Sequence, residues 1–185
     1  MTESNQKRPL RVLIADDMPA MRTIVREMLE NIGILRSSEA EDGEIAWRLI
    51  HESALLGEDP YDLVIVDWKM PGINGMELLK AVRSFSLTRG LPFVMITAQA
   101  DRYSLAEARH AGASELLVKP FVGDQLAQVI IELNPAMEPG IRRKQASHRA
   151  RGQIAEQKYQ DQALVEAAED RAALQQLLNN KKKAA

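Results

Sequence analysis

The sequence predicts an α/β fold: a doubly wound, five-stranded parallel sheet with helices on both faces, followed by a C-terminal helical or partly disordered extension. Three observations carry this. Over the first 139 residues, short apolar runs alternate five times with amphipathic helical patterns, and such alternation builds parallel sheets with right-handed crossovers. The run 63–66, Leu-Val-Ile-Val, is continuously apolar, as expected of a strand covered on both faces. It ends abruptly in one carboxylate, Asp67, and a Pro/Gly loop, within YDLVIVDWKMPGING at 61–75. The carboxyl edge of an open α/β sheet is where ligands bind, so Asp67 is a functional candidate from the outset.

The elements follow in order. Residues 11–16, RVLIAD, form a short apolar run that ends in acid, with Asp17 next. Pro19 suits a first helical turn, and Met21, Ile24, Val25, Met28, Leu29 and Ile32 keep one helical face before Gly33 stops the pattern. Residues 34–40 are a weaker strand. Asp42-Gly43 then opens a second helix carrying Ile45, Ala46, Leu49 and Ile50, with its end between His51 and Gly57. After the central strand, Asn74 can cap a third helix bearing Met76, Leu78, Leu79 and Val82. Pro92 precedes a fourth strand at 93–97. A fourth helix starts near Asp101 and closes at Gly112, a fifth strand covers 114–118, and Leu126, Val129, Ile130 and Leu133 pattern a fifth helix.

Composition limits the function classes. The 185 residues contain no cysteine, which excludes disulfides, thiolate metal sites and a thiol nucleophile and suits a reducing compartment, so a cytoplasmic location is expected. The polar start MTESNQKRPL has no apolar leader core, and no apolar run approaches membrane-spanning length, so no membrane role is expected. Charge is unevenly divided: residues 1–139 carry 14 basic against 21 acidic side chains, and 140–185 carry 10 against 5. Two prolines and a glycine between Asn134 and Gly140 mark the boundary, giving a domain at 8–134, a linker at 135–140 and a basic, Ala/Gln-rich extension at 141–185.

Polar residues collect just past the strand ends: Asp16 and Asp17 after the first, Asp67 after the third, Thr97 after the fourth and Lys119 after the fifth. Singly, each has a plain structural reading as a helix cap, a strand-end hydroxyl or a snorkelling lysine. Together, at one edge, they point to chemistry. Three carboxylates repel unless a cation joins them, and an all-oxygen set favours a hard ion such as Mg²⁺, which usually keeps water or phosphate oxygens. Mg²⁺ implies a phosphoryl group, and an aspartate can accept one as an aspartyl phosphate. Asp67 is best placed as nucleophile, with Thr97 and Lys119 stabilising the transferred oxygens.

The chain resembles the receiver domains of bacterial two-component response regulators. The resemblance rests on IADD at 14–17, VDWKMPGINGMELL at 66–79, MITA at 95–98 and AGASELLVKPF at 111–121. MRTIVREML, SEAEDG and DWKMPG bring it nearest to the chemotaxis receivers of the CheY type. It covers residues 8–134 and implies a flavodoxin-like sheet of order 2-1-3-4-5. It further implies that Asp67 takes a phosphoryl group from a sensor histidine kinase, with catalytic support from Thr97 and Lys119. Mg²⁺ would be held by Asp17, Asp67 and the Lys69 backbone carbonyl, and by Asp16 through water. The Lys119-Pro120 peptide would be cis. The output would be a phosphorylation-controlled partner, for example a component of the flagellar motor switch, and the protein a monomer or weak dimer. Such a chain is a Mg²⁺-dependent phosphoacceptor with self-phosphorylation and autodephosphorylation chemistry rather than a conventional enzyme.

Three positions depart from that pattern: Leu116 replaces the aromatic on the fifth strand, Lys69 replaces asparagine and Gln99 replaces glutamate. Tyr103 is either a substitute readout or an ordinary surface tyrosine. Phosphatases that also use an Asp nucleophile with Mg²⁺ need a second acid two residues on, where this chain has Lys69.

The extension opens with IRRKQASHRAR and ends in NNKKKAA, with high helix propensity over 153–178. Ile154, Leu164, Val165, Leu174, Leu177 and Leu178 form no sustained seam. A solvated helix, a helix docking on another subunit or partner, and a nucleic-acid-binding segment are the three readings. The last is disfavoured, because acids offset the basic residues and only Tyr159 interleaves an aromatic.

Overall fold

The computed structural model describes residues 8–57, 59–98, 101–149 and 160–165. Five parallel strands, β1 (Arg11–Ala15), β2 (Arg36–Ala40), β3 (Leu63–Asp67), β4 (Phe93–Thr97) and β5 (Glu115–Val118), form one sheet in the order β2-β1-β3-β4-β5. The flavodoxin-like order implied by resemblance is therefore the one observed. Helices α1 (Pro19–Asn31), α2 (Gly43–Leu56), α3 (Gly75–Ser84), α4 (Arg102–His110) and α5 (Gly123–Leu133) connect and flank the strands.

Two cores sandwich the sheet. One packs Val12, Ile14, Ile65 and Ile96 against Met21, Val25 and Leu29 of α1 and Leu126 and Ile130 of α5. The other packs Leu13, Val64, Val66 and Met95 against α2 and α3 through Ile50, Leu78, Leu79 and Val82. Alternate residues of one strand therefore serve opposite cores, and all five residues of β3 and of β4 are buried. This explains why those two runs lack a polar face.

Local chemistry sets the helix ends. Asp42 caps α2 by accepting from the Ile45 amide at 2.7 Å, and Gly57 ends it in the left-handed region at φ 68°, where a side chain would be strained. Asn74 and Glu77 form a reciprocal capping box at α3: the Asn74 side chain accepts from the Met76 and Glu77 amides at 3.0 Å, and the Asn74 amide donates to Glu77 at 2.9 Å.

The segment expected to be a linker is helical instead. A 3-10 turn at Pro135–Met137 leads directly into α6 (Glu138–Arg149). Pro139 and Gly140 occupy the first turn of α6, where a missing proline N–H removes no intrahelical bond, so the residues read as breakers start a helix. Ile141 is fully buried in the α1/α5 core, with Met137 packed against the same core. Gln145 donates to Asp124 at 2.7 Å, and the Lys144 stem lies close to Gly33. Of the helix expected over 153–178, residues 160–165 are helical, with Ala163 buried and Leu164 and Val165 exposed. Ile154, Tyr159, Leu174, Leu177 and Leu178 lie outside the described residues, as does Gln99.

At the opposite edge of the sheet from the strand ends, Arg8, Arg11 and Arg36 surround Asp59, and Arg8 also pairs with Asp62 at 2.8 Å. Arg36 donates to Asp59 at 2.6 Å. That hydrogen bond, reinforced by the charges of Arg36, Arg11 and Arg8, holds the Asp59 carboxyl below its ordinary range despite partial desolvation.

Candidate functional site

Strand register builds the site. Ala15 pairs with Val66, Asp67 with Ile96, and Thr97 with Val118. Asp16 therefore lies level with Asp67, Thr97 stands one step further along the same edge, and Lys119 one step beyond Thr97. Four side chains predicted from sequence thus converge: Asp16, Asp67, Thr97 and Lys119 are all buried. Burial of four polar groups at one edge of the sheet demands partners.

The Lys119 ammonium supplies one. Its Nζ lies 2.8 Å from Asp67 Oδ1 and 3.7 Å from Asp16 Oδ2. The Lys119 amide donates to the Thr97 carbonyl at 2.8 Å, and the Lys119–Pro120 peptide is cis. The other carboxylate oxygens are met by backbone. Asp67 Oδ2 accepts from the Lys69 amide at 2.7 Å, and Asp16 Oδ1 accepts from the Met18 amide at 2.8 Å. Both are tight turns closed by a side chain two residues back, which pins each carboxylate at its strand end.

The β3–α3 loop is fixed just as closely. The Trp68 amide donates to the Ile96 carbonyl at 2.8 Å, and the Gly75 amide to the Trp68 carbonyl at 3.0 Å. A Cβ at Gly75 would collide with the Asp67 carbonyl and lie 3.0 Å from Trp68 Cα. Only glycine lets α3 begin this near Asp67.

Asp17 is exposed at the rim, unlike Asp16. It lines an open groove with Trp68, Lys69, Met70, Pro71 and Asn74. Two buried carboxylates stand against one buried ammonium, while Asp17 and Lys69 offset one another at the rim. Among the described residues, no three His, Cys, Asp or Glu side chains converge tightly enough to chelate a metal by themselves. A hard cation that draws on a few carboxylates, one backbone carbonyl, water and phosphate oxygens suits this donor set, and Mg²⁺ is that kind of ion.

A family model for the response regulator receiver domain matches residues 12–131. The chain belongs to the response regulator receiver domain family. It is 36% identical over 121 residues to the chemotaxis protein CheY of Pseudomonas aeruginosa, a match covering 65% of this chain and 93% of that protein. It is 38% identical over 119 residues to the chemotaxis protein CheY-3 of Vibrio cholerae, covering 64% and 87%. The structure of Vibrio cholerae chemotaxis protein CheY4 superposes with a TM-score of 0.60 at 29% identity, over 67% of this chain and 98% of that one. The receiver domain of a Pseudomonas aeruginosa sensor histidine kinase superposes at 0.58 with 26% identity, over 67% and 96%, and that structure has a magnesium ion coordinated in the active site cleft.

This receiver domain is thus of the phosphorylation-activated response-regulator class, in a family that typically binds Mg²⁺ at its active site. About a third of the chain lies outside these matches. No helix among the described residues is long and apolar enough to cross a membrane.

Two of the three departures, Lys69 and Leu116, lie within the described residues. Leu116 sits on β5 opposite Met95, partly buried against the α2/α3 core. Tyr103 is 90% exposed near the start of α4, which favours the surface reading over a substitute for the missing aromatic. Sequence reasoning missed Arg22, whose guanidinium donates to the Asp16 carbonyl at 2.8 Å. An arginine on a helix's polar side carries no local mark of such a bond. It also missed the closeness of Gly75 to Asp67, for which the Asn-Gly pair after Pro-Gly was an available signal.

Proposed function

We propose that Asp67 is the phosphoacceptor of this response regulator and that the domain switches partner binding on phosphorylation. The observation that carries this reading is the buried Lys119–Asp67 contact at 2.8 Å, with Asp16 beside it and Thr97 at the same edge. In the transfer, an Asp67 oxygen bonds to phosphorus as the P–N bond to a kinase phosphohistidine breaks, and the released imidazole keeps its electron pair and takes up a proton. Lys119 and Thr97 contact the phosphoryl oxygens. Asp17, Asp67 and the Lys69 carbonyl would hold Mg²⁺, with Asp16 acting through water. The ion would supply charge neutralisation at the transferred oxygens.

The donor in this reading is a sensor histidine kinase and the location cytoplasmic. Similarity to chemotaxis proteins supports a chemotaxis-like output such as the flagellar switch. The receiver unit is taken as 8–134 and the extension as 141–185. Because Ile141 belongs to the domain core, a deletion that probes the extension should begin after Arg149.

The test is labelling by a small phosphodonor such as acetyl phosphate in Mg²⁺. Wild type should label and Asp67→Asn should not; equal labelling of the two would sink the assignment. Trp68 beside the site gives a second signal, because its fluorescence should respond to Mg²⁺ and phosphodonor in a Trp47→Phe background.

A further inference from the structure

The acidic turn Asp16-Asp17 is anchored by more than its own side chains. The Asp16 amide donates to the Ala40 carbonyl at 3.2 Å, its carboxylate accepts from the Met18 amide, and its carbonyl accepts from Arg22 Nη1 at 2.8 Å. Arg22 lies on α1, and its Nε donates to Glu39 Oε2 on β2 at 3.1 Å. Glu39 is itself braced, because its other oxygen accepts from Arg26 Nε at 3.1 Å. The Arg22 side chain is only 13% exposed, so this guanidinium is set in a well-packed position between α1, β2 and the turn.

We propose that Arg22 is a positioning residue for the cation site: by clamping the Asp16–Asp17 peptide against β2, it fixes both carboxylates in their Mg²⁺-competent orientation. The inference rests on the reading of Asp16 and Asp17 as Mg²⁺ ligands. The planar fork of arginine lets one side chain serve a carbonyl through one nitrogen and a carboxylate through another, which a lysine ammonium does not reproduce. Loss of the clamp leaves the Asp16 peptide free to rotate and releases the rim carboxylate of Asp17. Loss of partners that orient metal ligands costs about 10–100-fold in metal affinity.

Electrostatics alone predicts the opposite sign. Removing a cation from the neighbourhood of an acidic pocket tightens Mg²⁺, whereas loss of positioning weakens it. The direction of the change therefore separates the two roles. The fold should tolerate the substitution, because α1 is held by its buried face, Met21, Ile24, Val25, Met28 and Leu29.

The experiment is titration of the full-length chain with Mg²⁺ alone, by calorimetry and by Trp68 fluorescence in the Trp47→Phe background, for wild type, Arg22→Gln and Arg22→Lys. Circular dichroism and thermal unfolding in metal-free buffer establish folding. We expect the Mg²⁺ dissociation constant to rise roughly tenfold or more in Arg22→Gln, with Arg22→Lys moving in the same direction despite its retained charge. Labelling by acetyl phosphate should recover towards the wild-type rate as Mg²⁺ is raised to saturation. An unchanged or tighter dissociation constant in folded Arg22→Gln overturns the proposal. Should that variant not fold, unchanged affinity in Arg22→Lys overturns it equally. A wild type that binds no Mg²⁺ defeats the phosphoacceptor reading itself, a result distinct from either.

Discussion

Lys119 Nζ sits 2.8 Å from Asp67 Oδ1 with both side chains almost wholly buried, at 3% and 5% exposure. The same ammonium is 3.7 Å from Asp16, so one cation is shared between two carboxylates. Two buried carboxylates thus depend on the same ammonium.

Removing that ammonium should be costly. Lys119→Met leaves two buried carboxylates facing each other, and breaking a buried pair by deleting one partner typically costs about 3–5 kcal/mol. Urea unfolding at neutral pH should show a loss of that order, narrowing on addition of Mg²⁺. A loss below about 1 kcal/mol would place Lys119 with exposed ion pairs instead.

Gly75→Ala tests the closeness of α3 to the acceptor. The new methyl group would meet the Asp67 carbonyl and Trp68 Cα, so the loop must shift and carry Asp67 with it. Overpacking of this kind costs about 1–3 kcal/mol. The labelling rate should fall more than stability alone explains, as measured on protein shown to be fully folded at the assay temperature.

Ile141→Ala probes whether α6 is part of the domain. The side chain is fully buried against the α1/α5 core, and truncating such an isoleucine costs about 2–5 kcal/mol. Thermal unfolding should show one cooperative transition at lower temperature. An unchanged midpoint would mean that α6 does not contribute to the folded core.

The Asp59 network makes a pH prediction. Its carboxyl is held below the ordinary value of 3.8, first by the Arg36 hydrogen bond and then by the charges of Arg36, Arg11 and Arg8. A depressed folded value means that the contribution is present above about pH 3.8 and is lost as pH falls through the lower folded value. Asp59→Asn should therefore be less stable than wild type at pH 7, and the two should draw together only as the pH falls below about 3.8. A difference that stays constant across that range would show that no titration is involved.

Much of this protein is legible in its sequence. Five strands, five helices, the cap Asn74, the helix starts at Asp42 and near Asp101, and the stop at Gly33 are properties of residues within a few positions of one another. The edge residues Asp16, Asp67, Thr97 and Lys119 were identifiable because parallel strands deliver their carboxyl ends to one side, whatever the strand order. The order 2-1-3-4-5 came by resemblance, since periodicity does not say which strand lies beside which.

The misreading at 135–140 has a local cause: Pro139 and Gly140 break helices from within yet are tolerated at a beginning, and only the burial of Ile141 selects between the two. By itself, then, the sequence determined the kinds of element, their succession and which polar groups would stand at the sheet's edge, because hydrophobic period and capping act over a turn or two. Tertiary structure alone decided that Lys119 divides its charge between Asp67 and Asp16, that Arg22 reaches the Asp16 carbonyl, and that α6 closes over α1 and α5. Each of these depends on distances between elements far apart in the chain, which are set only when the two cores pack.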